Sequence, residues 1–262
     1  MENQELDNEL LDQKNGKSLR SLLDNGYETN AVEYIKKGIE LFKQDIGSFI
    51  GFLLIIAVAQ SILSSIPFVK GFASALIAPV IAGGFIVAKM IDKKEIHSFS
   101  NFFDGTQKYM PLLIVTIIPT IIVAAIFLVI GGWSYFKISF LGIKPAFNLN
   151  DISGMTGLTG AMYGMAGRAG LAGLIAGIVS VLFLFGSFLV LFENFEPVKA
   201  LDISRKIIGK KFLNWIGFLF LIVLFNAAGA ICLLVGLFVT IPSSICALYV
   251  AYEDVVGLNL RD

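Results

Sequence analysis

Long apolar runs without a single charge constrain this chain more than any other feature of its sequence. Asp, Glu, Lys and Arg are absent from 46–69, 110–136, 169–192 and 212–252, and from a shorter run at 71–88. About 20 apolar residues cross the hydrocarbon core of a bilayer as a helix, so the longest run is long enough for two crossings. None of the runs alternates as a transmembrane β-strand does. The sequence therefore predicts an all-α, polytopic membrane helix bundle.

Six transmembrane helices are expected, at about 46–66, 72–91, 111–132, 169–193, 212–232 and 235–253. The composition agrees, because 56% of residues are hydrophobic and 15% are charged, against about 25% charged in soluble domains. A formal net charge of zero provides no attraction to nucleic acid, so no nucleic-acid partner is expected. Membrane lipids are the expected surroundings of the chain.

The distribution of basic residues predicts the orientation. With six crossings, sixteen of the twenty Lys and Arg residues fall on the side of the N-terminus and four on the other. Cytoplasmic segments carry the excess of basic residues, so both termini are predicted in the cytoplasm, in the inner membrane of a bacterium.

The division of the chain follows from the same pattern. Residues 1–30 are polar and predicted to be a disordered cytoplasmic tail, followed by a six-helix domain at 31–257 and a short tail at 258–262. Apolar residues recur at helical spacing over 31–45, so an amphipathic helix is expected in the membrane interface there, with Asn30 as its N-cap.

An internal repeat is the strongest further signal. Residues 34–52 align without gaps with residues 200–218, and both segments end in an aromatic residue followed by Ile-Gly-Phe-Leu. The repeat units cover about 31–92 and 197–254, leaving a middle hairpin at 98–193 that is either a weaker third copy or unrelated. Both units start inside, cross and return, so the repeat is parallel rather than inverted.

Acidic residues follow the second helix of each hairpin, at Asp92, Glu193, Glu196, Glu253 and Asp254. Acid at a helix C-terminus opposes the helix dipole and costs about 0.3–1 kcal/mol. Two interpretations remain open, solvated charges or a belt of acid–base contacts. The basic residues that could form such a belt lie on the amphipathic segments: Lys36, Lys37, Arg205 and Lys206.

Candidate binding residues are few. Gln60 and Asn226 are amides within predicted spans and coincide in the repeat, so they are candidate ligand-binding residues, with helix–helix hydrogen bonding as the alternative. His97 is the only histidine, and no nucleophile or phosphate-binding motif is present. The sequence thus predicts no catalytic residue, no metal site and no cofactor.

Glycines recur every three or four residues between 154 and 177. A helical stripe of this kind permits close packing within the chain or between copies, so a homo-oligomer or a membrane partner is a candidate interaction. As to its structure, segment 133–168 is compatible with helix, a re-entrant segment or a loop.

A family resemblance is carried by Glu196-Pro197-Val198-Lys199-Ala200-Leu201, by Thr240-Ile241-Pro242 and by Tyr252-Glu253-Asp254. Together with Pro79 and Gly83-Gly84, these residues resemble uncharacterised bacterial proteins related to the glycerophosphoryl diester phosphodiesterase membrane domain. The resemblance implies a six-helix integral membrane protein and carries no hydrolytic activity over to this chain.

Two functions are compatible with these observations. The lack of recognisable catalytic motifs favours a non-enzymatic scaffold, accessory or lipid-associated protein. The repeats and the paired amides favour the alternative, a transporter or permease for a neutral or apolar solute.

Overall fold

A computed structural model describes residues 19–67, 69–139, 154–232 and 235–258. Every regular element in these residues is helical. Two are 3₁₀ helices, Lys70–Phe72 and Phe99–Lys108. The α-helices are α1 Leu19–Asn25, α2 Ala31–Gln44, α3 Ile46–Ser65, α4 Ala73–Asp92, α5 Tyr109–Ser139, α6 Gly154–Leu182, α7 Gly186–Phe192, α8 Pro197–Lys210, α9 Phe212–Ile231 and α10 Leu237–Val255.

Five segments are long and apolar enough to cross a membrane: Ile46–Ser65, Lys70–Asp92, Phe99–Ile130, Gly167–Phe192 and Phe212–Ile231. Each coincides with a predicted span. The sixth predicted span, 235–253, is helical as α10 but is not among the five, because hydroxyl side chains and the terminal Glu253 and Asp254 make it more polar. The structure therefore supports an all-helical chain with five such segments.

The fourth predicted span, 169–193, is not one continuous helix. The helix breaks after Leu182, and α7 begins at Gly186. Ser204 of α8 lies at the break, where its hydroxyl donates to the Leu182 carbonyl (2.9 Å) and accepts from the Phe185 amide (3.1 Å). A side chain that bonds backbone groups in this way can stabilise an interruption inside an apolar segment.

Much of the segment 133–168 is helical. After a bend at Gly132, whose φ of 78° is in the left-handed region, α5 continues to Ser139, and α6 already begins at Gly154. Residues 140–153 lie outside the described residues. At Gly167, Gly170, Gly173 and Gly177 an added Cβ atom would meet nothing within 4 Å, so these glycines make no close contact with another helix among the described residues.

The amphipathic helix α2 packs along α10 in the opposite direction. Asn30 caps α2 as predicted, accepting a hydrogen bond from the Glu33 amide at 3.2 Å. Tyr34 lies beside Asp254, whereas Gly38, one turn further on, lies against Ser243 and Ala247. A Cβ atom on Gly38 would lie 2.6 Å from the Ser243 carbonyl oxygen, so only glycine permits this approach. The buried face of α2 is thus covered by protein.

A second close approach joins the 3₁₀ helix Phe99–Lys108 to the middle of α4. A Cβ atom on Gly83 would overlap the Phe102 carbonyl, and one on Gly105 would overlap the Pro79 carbonyl. Phe102 is itself fully buried and packs against Phe49 (edge to face) and Phe52 of α3, with ring centroids 5.0 and 4.7 Å away. The 3₁₀ helix therefore packs against both α4 and α3 and holds them together.

An aromatic core fills the end of the bundle where α4, α7 and α10 terminate. Phe185 packs against Trp215 with centroids 4.8 Å apart, and Phe188 stacks on Tyr252 at 4.9 Å. Each such pair contributes about 0.5–1.5 kcal/mol beyond the area it buries. The largest fully buried side chains are Trp215, Tyr249, Tyr252, Phe42, Phe49, Phe52, Phe102, Phe185, Phe188 and Phe218.

Part of the segment 1–30, which is predicted to be a disordered tail, lies within the described residues. Residues 19–25 form α1, and Leu22 is buried. Tyr27 accepts a hydrogen bond from the indole of Trp215. The prediction rested on the polar composition of the whole segment, but Leu19, Leu22 and Leu23 pack on the core. Residues 1–18 lie outside the described part of the chain.

Candidate functional site

Three acidic residues at the end of the bundle accept hydrogen bonds from tyrosine hydroxyls. Tyr249 donates to Asp92 at 3.0 Å, Tyr252 to Glu193 at 3.4 Å, and Tyr34 to Asp254 at 2.6 Å. In each case the tyrosine and the acid belong to different helices. Burial and the bond to Asp254 together raise the pKa of Tyr34 well above its usual value, so its hydroxyl stays protonated and can donate.

Lys93 connects two of these helix ends. Its ammonium lies 3.2 Å from Asp92 at the end of α4 and 2.9 Å from Glu253 in the last turn of α10. Burial alone lowers the pKa of Lys93, but its bonds to Glu253 and Asp92 outweigh burial and raise it. A cation placed at two helix C-termini also interacts favourably with both helix dipoles.

The acid–base belt takes a different form from the one expected. Lys37 pairs with Glu33 at 3.0 Å, and both Arg205 and Lys206 pair with Asp202, at 2.8 and 2.6 Å. These pairs lie within α2 and within α8, because residues three or four positions apart are neighbours on a helix. Four of the five terminal acids are instead bonded by tyrosines and by Lys93, partners that were not predicted from the sequence. These acids are Asp92, Glu193, Glu253 and Asp254. The sequence did contain an indication of the tyrosine partners, since Tyr249 and Tyr252 lie within about a helical turn of Glu253.

Two cavities open at this end of the bundle. One, of about 320 Å³, lies between α2, α4 and α10 and is lined by Lys37, Glu40, Asp92, Lys94, Tyr249 and Glu253 among others. The other, of about 290 Å³, lies between the end of α4, the 3₁₀ helix Phe99–Lys108 and the end of α7. We call it the Lys89 cavity. It is lined by Ile86, Lys89, Met90, Glu95, Asp104, Gln107, Lys108, Leu191 and Phe192.

Lys108 caps the end of α7 beside the Lys89 cavity. Its ammonium donates to the carbonyls of Val190 (3.4 Å) and Leu191 (2.7 Å) and to the side chain of Asn194. These carbonyls have no partner in the last turn of a helix, and a cation there is stabilising. Lys108 thereby holds the 3₁₀ helix to α7 and fixes one wall of the cavity.

The two predicted ligand-binding residues lie in different surroundings. Gln60 is on α3, where its amide nitrogen is 3.4 Å from the Ser64 hydroxyl of the same helix. Asn226 is on α9, and its amide nitrogen donates to Ser244 of α10 and to the Ile222 carbonyl, both at 2.9 Å. The Asn226 interaction is a helix–helix hydrogen bond, as the alternative interpretation expects. Ligand binding at either residue stays a prediction.

Three buried oxygen atoms on α9 and α10 have no hydrogen-bond partner in the described residues: Asn226 Oδ1, Thr240 Oγ1 and Ser243 Oγ. An unpaired buried polar group costs about 1–3 kcal/mol. The helices α9 and α10 approach closely, because Gly229 lies against Thr240 and Gly236. These two helices therefore carry unpartnered polar atoms within the apolar part of the bundle.

The described residues contain no group of three His, Cys, Asp or Glu side chains that could hold a metal ion. His97 instead lies 3.2 Å from Asp45, which caps α3 by accepting from the Ser48 amide. This pair fixes the junction of α2 and α3. Comparison with protein-family models, with curated proteins and with solved structures found no match to this chain.

Proposed function

We propose that this chain is a non-enzymatic, lipid-associated integral membrane protein with six transmembrane helices. The observation that carries the proposal is the large apolar surface on the outside of α3, α5, α6 and α9. Among its side chains, Val58, Leu174, Phe220 and Val223 are 59–71% exposed. Soluble monomers rarely expose continuous apolar areas of this extent, and hydrocarbon is the solvent that removes the penalty.

The count of six includes α10. This helix has 19 residues and forms a hairpin with α9 through the Asn226–Ser244 hydrogen bond and the Gly229–Gly236 approach. Its polarity is compatible with a buried span, because its hydroxyl groups lie against neighbouring helices rather than lipid. Six crossings also preserve the excess of basic residues on one side, which places both termini in the cytoplasm of a bacterial cell.

Reporter fusions test this topology. A fluorescent protein joined after Asp262 should fluoresce, and alkaline phosphatase inserted between residues 231 and 236 should be active, because the phosphatase folds only outside the cytoplasm. An active phosphatase at Asp262 would leave five crossings and overturn the six-helix proposal.

The internal repeat is part of the proposal. Positions that align at the repeat offset have the same surroundings: Phe49 and Trp215 are both fully buried, as are Phe52 and Phe218. Gly38 aligns with Ser204, and each joins its amphipathic helix to the second helix of another hairpin. Gly105 packs on α4 in the same manner, which favours the middle hairpin as a third copy.

Absence of catalysis is proposed because the acids most able to act as general acids or bases are held by structural bonds. Asp92 is bonded by Tyr249 and Lys93, and Asp254 by Tyr34. The test is turnover: the purified protein is incubated with phospholipid and glycerophosphodiester substrates, and the products are measured by mass spectrometry. Turnover that is lost in Asp92→Asn would establish an enzyme and overturn the proposal.

A transporter for a neutral or apolar solute is the second candidate, favoured by the unpartnered oxygens on α9 and α10. The test compares solute uptake in cells that express the wild type, Asn226→Ala or Gln60→Ala at equal level. Uptake that both substitutions abolish would favour transport. Identical profiles would exclude a binding role for the two amides. Relation to the phosphodiesterase membrane domain and contact between copies through the glycine stripe both remain predictions.

A further inference from the structure

Side chains of both charges line the Lys89 cavity, and their charges are not all neutralised by bonds within the fold. Lys108 is held at the end of α7 by three acceptors. In the described part of the chain, Asp104 accepts from two neutral amides, those of Asn101 (2.7 Å) and Gln107 (3.0 Å), so its negative charge is not neutralised by them. Lys89 and Glu95 line the same space, with the Lys89 ammonium 5.5 Å from the centroid of the Phe192 ring. Two cations, Lys89 and Lys108, and two carboxylates, Glu95 and Asp104, therefore line the cavity.

The cavity also lies beside the start of an exposed apolar surface on α5. Lys108 directly precedes α5, whose first outward side chains, Met110 and Ile114, are 66% and 42% exposed. The cavity wall itself includes Ile86, Met90 and Leu191. A lipid whose acyl chains lie along Met110 and Ile114 would bring its headgroup to the charged part of the cavity.

The size is appropriate for a headgroup alone. Pockets that enclose a drug-sized ligand have volumes of about 300–1,000 Å³, and this cavity of about 290 Å³ lies at the lower limit. Its occupant is therefore small, carries both signs of charge and is attached to an apolar chain.

We propose that the Lys89 cavity binds the headgroup of a phospholipid with a primary amine, an ethanolamine phospholipid. The phosphate pairs with Lys89, and the ammonium donates hydrogen bonds to Glu95 and Asp104. A choline headgroup has no N–H to donate, and an anionic glycerol headgroup places no cation near the carboxylates. This assignment rests on the proposed lipid association.

The experiment measures lipid retention by the full-length protein. Protein in detergent is equilibrated with equal amounts of ethanolamine, choline and glycerol phospholipids that have identical acyl chains, then washed, and bound lipid is quantified by mass spectrometry. We expect the ethanolamine lipid to be retained roughly tenfold over the choline lipid, the ratio expected for one charge-assisted hydrogen bond.

Three variants and one control localise the effect. Lys89→Gln removes the phosphate contact and should lower retention of all three lipids, whereas Lys89→Arg keeps the charge and should restore it. Glu95→Gln should reduce the preference over the glycerol lipid. Lys94→Gln is the matched control, because Lys94 neighbours Glu95 in sequence but lines the other cavity.

The outcomes separate this inference from the proposed function. Equal retention of all three lipids by the wild type, or loss of the preference in Lys94→Gln, would overturn the headgroup assignment but leave lipid association standing. Failure of the wild type to retain any phospholipid would overturn the proposed function itself. An unchanged preference in both Lys89→Gln and Glu95→Gln would place the lipid elsewhere on the protein.

Discussion

The indole N–H of Trp215 donates a hydrogen bond to the hydroxyl of Tyr27, and the two atoms are 2.7 Å apart. The Tyr27 hydroxyl in turn donates to the Ile207 carbonyl at 2.8 Å. Trp215 is fully buried at the start of α9, and Ile207 belongs to α8. One side chain of the N-terminal segment thereby joins two helices that are distant from it in sequence.

Tyr27→Phe should destabilise the protein. The substitution leaves the buried Trp215 N–H without its partner, which costs about 1–3 kcal/mol. Thermal unfolding in detergent, followed by tryptophan fluorescence, measures the loss. Asn214→Ala is the control, because Asn214 also contacts the N-terminal segment, through Thr29, but its hydrogen bond is exposed. Equal effects of the two substitutions would contradict the role assigned to Tyr27.

Stability should decrease at alkaline pH. Burial raises the pKa of Tyr27 to about 12, an effect that its bond with Trp215 reduces only in part. An unfolded tyrosine has a pKa of about 10. A group whose pKa is higher in the folded state contributes stability that is complete below pH 10 and is lost as pH rises toward 12. The unfolding temperature, measured from pH 8 to 12, should therefore fall above pH 10.

The pH dependence should be weaker in Tyr27→Phe, because this variant has no hydroxyl at position 27 to ionise. Tyr34 and Lys93 also have raised pKa values, and both are still present in this variant. Its stability should therefore still decrease over the same pH range, but by less. Wild-type and variant curves that run parallel between pH 10 and 12 would show that Tyr27 does not contribute to the effect.

Gly38→Ala should prevent α2 from packing on α10. The added Cβ atom would lie 2.6 Å from the backbone of Ser243 and Ala247, and such overpacking costs about 1–3 kcal/mol. Gly47→Ala is the matched control, since an added Cβ atom at Gly47 meets nothing within 4 Å and alanine favours the helix by up to about 1 kcal/mol. The measurement is the unfolding temperature of both variants, and a stable Gly38→Ala protein would contradict the close approach.

Ser204→Ala should weaken the break between α6 and α7. Without the hydroxyl, the Leu182 carbonyl and the Phe185 amide lose a partner, at a cost of about 1–3 kcal/mol. Ser180→Ala removes a hydroxyl that bonds only the preceding turn of its own helix and should be nearly neutral. Hydrogen exchange over residues 181–187 should rise in Ser204→Ala alone.

Contact between copies of the chain through the glycine stripe can be tested by measuring the mass of the protein particles in solution. Gly173 lies in a described part of α6 where an added Cβ atom would meet nothing within 4 Å among the described residues. Gly173→Leu should therefore leave the monomer folded but reduce the dimer fraction in mass photometry. Gly217→Leu, at a similarly open position on α9, is the control. A dimer fraction that neither substitution changes would exclude the stripe as a contact.

Helix positions were predictable from the sequence because the charge-free runs report directly on which segments avoid water. The expected span 212–232 and the helix Phe212–Ile231 differ by a single residue. The break at 183–185 was not predictable, because it depends on Ser204, a residue from another helix. Composition likewise suggested disorder before residue 30, whereas the position of Tyr27 depends on a tryptophan far along the chain.

The candidate site was likewise predictable from the sequence only in part. The acids at the helix ends were recognisable from sequence, since their unfavourable position on the helix dipole required compensation. The pairings between helices were not, because Tyr34 reaches Asp254 and Lys93 reaches Glu253 through tertiary packing rather than helical spacing. The Lys89 cavity combines residues from α4, the 3₁₀ helix and α7, and no periodicity in the sequence connects them.

The packing of Gly38 on Ser243 has a consequence for how the protein is made. A ribosome releases α2 well before α10, so the part of α2 around Gly38 has no α10 to pack against during most of the synthesis of residues 31–255. Only when α10 has been made can this part of α2 be covered. A chain whose translation stops before residue 237 would leave it uncovered, and quality-control proteases would recognise that surface.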